Sequence, residues 1–205
     1  MTITTRGMTG ARGVRHAMLR DMRCLALAFL ATVLPTLALA QTPAENRAEA
    51  SKLLDALKQA PSEAVAGPLE DQIRELWAHE GSPAVMLLMT RAVRELHAGA
   101  MTDAIQDFGD AIVLDPTMAE AYRERAIARY QAGDTPGAIA DLQAAVQHEP
   151  RDFSAYDTLS RIAEDSQDWK SAYAAWQKVM QIDPKTPDGE QRLNELKRKA
   201  LGEET

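Results

Sequence analysis

Residues 119–152 read AEAYRERAIARYQAGDTPGAIADLQAAVQHEPRD. The first half places Tyr122, Ala126, Ile127 and Tyr130 at helical spacing. Gly133-Asp134-Thr135 interrupts that pattern; Thr135 suits the cap of a second helix, and Pro136 its first turn, where no backbone N–H is needed. Ala138, Ile139, Leu142, Ala145 and Val146 then form one apolar stripe. Glu149-Pro150 ends it, because proline cannot continue a helix. The stretch therefore predicts a helical hairpin.

The pattern recurs at a fixed interval. Asp115-Pro116, Glu149-Pro150 and Asp183-Pro184 lie 34 residues apart, and so do the columns Ala104/Ala138/Ala172, Leu88/Tyr122/Tyr156 and Phe108/Leu142/Trp176. Such a period signals stacked helix pairs, an all-α solenoid, with units at 85–118, 119–152 and 153–186. The small residues Ala92, Ala104, Ala111, Ala126, Ala138, Ala145 and Ala172 are expected where helices approach closely. Ala126 and Ala138 would meet within one unit, and Ala145 would meet the first helix of the next. A larger side chain at such a contact costs about 1–3 kcal/mol through overpacking.

These columns resemble those of the tetratricopeptide repeat (TPR) family over residues 85–186. The first unit carries Leu88, Ala92, Gly99, Ala104, Ile105, Phe108, Ala111 and Pro116; the third carries Tyr156, Ser160, Trp169, Ala172, Trp176, Val179 and Pro184. Departures are Arg91 and Arg125 in a leucine column that only Leu159 keeps, Glu95, Arg129 and Ala163 in a tyrosine column, and Gln167 at a turn glycine. The resemblance implies a right-handed solenoid of antiparallel helix pairs that binds a protein or peptide along the inner face of each first helix. In this chain that face selects Met89, Val93, Leu96 and His97, then Arg123, Ile127, Tyr130 and Gln131, then Asp157, Arg161 and Glu164. Tyr130 and Arg123 are expected anchors, residue types enriched at interface hot spots. The family's carboxylate clamp is absent, since the matching places hold Met89, Val93, Glu124, Ser154 and Thr158. The Met86–Met89 run reads either as groove or, preferably, as core against the preceding helices.

Residues 41–84 predict a helix pair. Ala48, Leu53, Leu54 and Leu57 form one stripe, closed by Pro61; Leu69, Ile73, Leu76 and Trp77 form another, closed by Gly81. Lacking the repeat alanines, the pair reads as a degenerate first unit capping the array, with Ser82-Pro83 opening the next. Residues 187–205 predict a C-terminal capping helix that starts at Asp188. It buries Leu193, Leu196 and Ala200 and turns Arg192, Lys197, Arg198 and Lys199 outward.

Residues 1–40 read as an export signal. Five arginines oppose only Asp21, an apolar run extends from Cys24 to Leu34, and Ala38-Leu39-Ala40 precedes an expected cut between Ala40 and Gln41. The run is short for a membrane span, so no stable span is expected after cleavage, although an uncleaved anchor is the alternative. The whole chain carries a net charge of −7, and removing residues 1–40 leaves −11 and no cysteine. That balance excludes nucleic acid as an expected partner, and the fold must hold by packing without disulfides. His79, His97 and His148 share no metal-ligand spacing, and no phosphate loop or hydrolase signature occurs. Asp103, Asp107 and Asp110 read as a solvated helix face. No enzyme activity and no cofactor are expected. The expected protein is an exported scaffold for protein–protein interaction, in the periplasm of a Gram-negative bacterium, serving envelope assembly or secretion. An accessory subunit of an envelope enzyme is the alternative.

Overall fold

The computed structural model describes Thr2 and residues 42–202; the expected signal, with Ala40 and Gln41, lies outside them. Among the described residues there are nine helices and no strand: α1 Pro43–Lys58, α2 Glu63–Ala78, α3 Pro83–His97, α4 Met101–Leu114, α5 Ala119–Gln131, α6 Thr135–His148, α7 Phe153–Asp165, α8 Trp169–Ile182 and α9 Gly189–Leu201. None of these is long and apolar enough to cross a membrane.

Helices α3/α4, α5/α6 and α7/α8 form three hairpins that stack in order. Aspartate opens the second helix in two of them: Asp134 accepts the Gly137 N–H at 2.9 Å and Asp168 that of Ser171 at 3.1 Å. The cap expected of Thr135 thus falls one residue earlier. Glycine supplies the left-handed turn residue twice, Gly99 at φ +79° and Gly133 at φ +87°, and Gln167 takes the same region at φ +58° in the third hairpin.

Ala92, Ala104, Ala111, Ala126, Ala138, Ala145 and Ala172 are all 0 % exposed, and Ala126, Ala138 and Ala145 share one cluster with Leu142, Ala155 and Ile162. Small side chains there let helix backbones approach at close-packed density. The third hairpin has Ser160 in the Ala92/Ala126 column; its hydroxyl donates to the Ala172 carbonyl at 3.1 Å, which satisfies a polar group inside the core.

The arginines that broke the leucine column have partners. Arg125 binds Asp141 bidentately, Nε to Oδ2 at 2.8 Å and Nη2 to Oδ1 at 2.7 Å, and Arg91 makes the same pairing with Asp107. Each pair joins the two helices of one hairpin across 16 residues. Asp107 is therefore 5 % exposed and ion-paired, a correction to the solvated face expected of it. In the third hairpin both partners are replaced together, by Leu159 and Ala175.

Helix α9 packs on α8, with Leu196 buried and Leu193 partly buried against the Trp176 cluster. The Trp176 indole N–H donates to the Gly189 carbonyl at 2.9 Å, and Lys199 Nζ lies 4.2 Å from the Trp169 ring centroid. Asp188 stands at the start of α9 in the left-handed region and makes no side-chain cap. Arg192, expected to point outward, turns inward and bonds Asp157 and Glu164.

The α1/α2 hairpin departs from the expected end cap. Among the repeats it packs against α5, α7 and α8. Helix α1 follows the edge that carries the three proline corners. Arg47 reaches Asp115 at 3.9 Å, Ser51 and Asp55 accept from Arg151 at 2.8 and 2.9 Å, and Ala50, Leu54 and Leu57 share a buried cluster with Ile182. Helix α2 returns alongside. Arg74 sits 5.1 Å from the Phe153 ring centroid and Trp77 stacks obliquely on the same ring at 5.5 Å. The physical reason is the apolar face that Phe153, Ile182 and Tyr156 present at those corners, which accepts the stripes of both helices.

Candidate functional site

An open cleft of ≈ 510 Å³ lies on the inner face of the last two hairpins. Helix α7 supplies Ser154, Asp157, Thr158 and Arg161; α5 supplies Arg123; α9 supplies Arg192; α2 closes one side with Glu70 and Arg74. Two aromatic rings, Phe153 and Trp176, line it beneath arginines: the Arg192 guanidinium lies 4.0 Å from the Trp176 centroid, as Arg74 lies over Phe153. Asp157 bridges Arg161 at 2.9 Å and Arg192 at 2.8 Å. Both rings are themselves buried, so the walls present guanidinium groups paired with carboxylates, chemistry suited to a polypeptide carrying charged side chains.

Of the groove residues expected from sequence, Arg123, Asp157 and Arg161 come together in this cleft. Met89 does not belong to a groove. It is 5 % exposed inside the first hairpin's core, with Met86, Leu88, Val93 and Ile127 packed around that core. The Met86–Met89 run therefore serves its own hairpin, apart from Leu87, which is 70 % exposed. His97 is exposed at the end of α3, and the Tyr130 hydroxyl donates to Asp165 at 2.5 Å. None of Met89, Val93, His97, Ile127 and Tyr130 lines the cleft. Sequence reasoning missed Glu70, Arg74 and Arg192. The last was detectable, since it stands four residues before Leu196, one turn away on the side of α9 that is buried.

Deeper in, Arg123 binds Glu120 at 3.0 and 2.5 Å and Glu124 at 2.6 Å. Burial works against its charge, but the two glutamates outweigh burial and hold the guanidinium protonated. Burial pushes the Glu124 carboxyl up, against the pull of Arg123. Asp152 caps α7 by accepting the Ala155 N–H at 2.8 Å and is 2 % exposed; burial raises its carboxyl to about 7, with Glu120 adding to the rise and Arg123 opposing it. Asp183, 1 % exposed, is raised to about 6 by burial, with Glu70 adding. Glu80 is raised by burial despite Arg47. Among the described residues no three His, Cys, Asp or Glu side chains are arranged to hold a metal ion.

Residues 110–158 match the family model described as tetratricopeptide repeat. No curated protein matches the chain in sequence. Several solved structures share the fold. The first TPR of Spaghetti (RPAP3) bound to the HSP90 peptide SRMEEVD is 19 % identical with a TM-score of 0.54, the match covering 60 % of this chain and 98 % of that one. The TPR2B domain of yeast Sti1, in its pHsp70 complex, is 20 % identical with a TM-score of 0.52, covering 60 % and 100 %. The MamA protein is 21 % identical with a TM-score of 0.52, covering 78 % and 84 %. Likeness at these identities bears on the fold.

Proposed function

Because residues 110–158 match the tetratricopeptide repeat model and the fold is shared with tetratricopeptide repeat domains, we propose that the chain is an exported scaffold which holds a polypeptide partner in the cleft between α2, α7 and α9. The single observation carrying this reading is the ≈ 510 Å³ cleft with its arginines over aromatic rings. A protein or peptide ligand is further supported by the structural neighbours that hold chaperone peptides. Export to a bacterial envelope rests on the basic, then apolar, residues 1–40 and the Ala38-Leu39-Ala40 site. There the scaffold would serve envelope assembly or secretion.

Crosslinking in cells, followed by mass spectrometry, tests it. Arg161 is largely exposed and its replacement leaves the core intact. Arg161→Glu is expected to lose at least tenfold of the crosslinked partner at equal protein abundance. An undiminished partner in that variant would exclude the cleft, and an N-terminus at Met1 on envelope-isolated protein would exclude the cleaved signal.

A further inference from the structure

The α1/α2 hairpin is joined to the repeats in an unusual way. Two of its ties are ionic and reach the proline corners: Arg47 to Asp115, and Arg151 to Asp55 and Ser51. Its apolar contact with the repeats runs through Phe153 and Ile182, with Tyr156 at the margin. Helices α2 and α3, adjacent in sequence, are not packed on one another, and Gly81 is the link between them. Under the hairpin lie Phe153, Asp152, Asp183 and Glu120, each under a tenth exposed. Along one side α2 forms the cleft wall with Glu70 and Arg74.

The seam is also poorly satisfied. Among the described residues four buried side-chain polar atoms have no hydrogen-bond partner, and two are at this seam: Trp77 Nε1 and Asp183 Oδ2. Each such atom offsets part of the gain from apolar contact, because water would satisfy it on release. A helix pair held by three apolar side chains of the repeats and a few half-exposed polar ties, against two orphaned polar atoms, is positioned to detach while the repeats stay folded.

We propose that the α1/α2 hairpin is an autoinhibitory strap: it occupies in cis a seat on the repeat corners that an amphipathic helix of the partner takes in trans. The helix that fits carries an aromatic side chain to replace Trp77 on Phe153 and a basic side chain to replace Arg74. The inference rests on the cleft being the partner's seat, because displacing α2 removes one cleft wall and widens it. Population arithmetic follows: a seat filled in cis lowers the partner's apparent affinity by the fraction of chains that are strapped.

The test uses the full chain and a fluorescein-labelled peptide of residues 42–81 as probe, so that it needs no envelope partner. Asp55→Arg breaks the strap's tie to Arg151 at an exposed residue, leaves the hairpin's own core untouched and keeps Arg151 available to the Asp55 that the probe carries. Expected are hydrogen exchange in α1 and α2 at least tenfold faster than in the parent, unchanged exchange in α3–α8, and probe binding at least tenfold tighter. A Cys24→Ser chain carrying Asp55→Cys and Arg151→Cys, joined by a short bis-maleimide, is expected to bind no probe. Equal exchange of α1 and α2 in parent and Asp55→Arg overturns the strap. So does faster exchange with no gain in probe binding. A positive result stands even if no envelope partner is ever captured, and a captured partner does not rescue a negative one.

Discussion

Replacing Asp152 by asparagine isolates one buried charge. The residue caps α7 and asparagine caps as well, so the bond from the Ala155 N–H survives. What changes is ionisation. The folded carboxyl titrates near 7 against an ordinary value of 3.8, because burial disfavours the charged form. A raised carboxyl binds its proton more tightly in the folded state, so its contribution to stability is complete below about 4 and is lost as pH rises through about 7. Three units at about 1.4 kcal/mol each set a ceiling of roughly 4 kcal/mol. Local relaxation around the charge reduces this, and a gain of about 2 kcal/mol for Asp152→Asn at pH 8 is expected, falling toward zero near pH 4. Urea denaturation of both proteins across pH 4–8 measures the difference directly. Asp168→Asn is the control, an exposed cap whose carboxyl is lowered by its bonds from Ser171. A pH-independent difference, or a variant weaker than the parent at pH 8, would refute the reasoning by showing that Arg123 stabilises the Asp152 carboxylate more than burial penalises it.

Other expectations rest on the repeat columns. Asp141→Ala strands the partly buried Arg125 and Arg129 and is expected to cost about 3 kcal/mol by chemical denaturation, whereas Arg125→Leu with Asp141→Ala, copying Leu159 and Ala175, costs under about 1 kcal/mol. A double variant as weak as the single would show that the pair itself stabilises the hairpin. Gln167→Gly removes a non-glycine residue from the left-handed region and is expected to raise stability by about 0.5–1 kcal/mol, read as a higher melting temperature. Ala138→Leu forces a side chain into a fully buried contact and is expected to destabilise by about 1–3 kcal/mol, where an unchanged midpoint in urea would contradict close packing at that crossing.

The repeat was legible because close helix contact demands small side chains at fixed intervals, and Ala104, Ala138 and Ala172 declare that interval. The arginine–aspartate pairs were legible in principle. Positions 91 and 107, 125 and 141, and 159 and 175 change together, and reading each column alone turned Arg91 and Arg125 into departures and Asp107 into a surface residue. Hairpin placement was not legible. An amphipathic stripe such as Leu54, Leu57 and Ile73 states that a face must be buried, but Phe153 and Ile182, which receive it, lie about a hundred residues away and look like ordinary repeat positions. The same gap explains the cleft. Arg123, Asp157 and Arg161 follow from the first-helix register, whereas Glu70 and Arg74 arrive with the hairpin, and Met89 was lost because its turn of α3 faces the core.

An array whose units touch only their neighbours melts from its ends and folds from any point. The Arg151 ties to Asp55 and Ser51 close loops of 96 and 100 residues and bind the first helix of this array to the corner that opens its last hairpin. Such distant closure raises contact order and slows folding, while making loss of either end felt at the other. During synthesis α1 and α2 emerge first and wait with Leu54, Ile73 and Trp77 uncovered until Phe153 and Ile182 have followed. The earliest helices to be made are thus among the last to be finished.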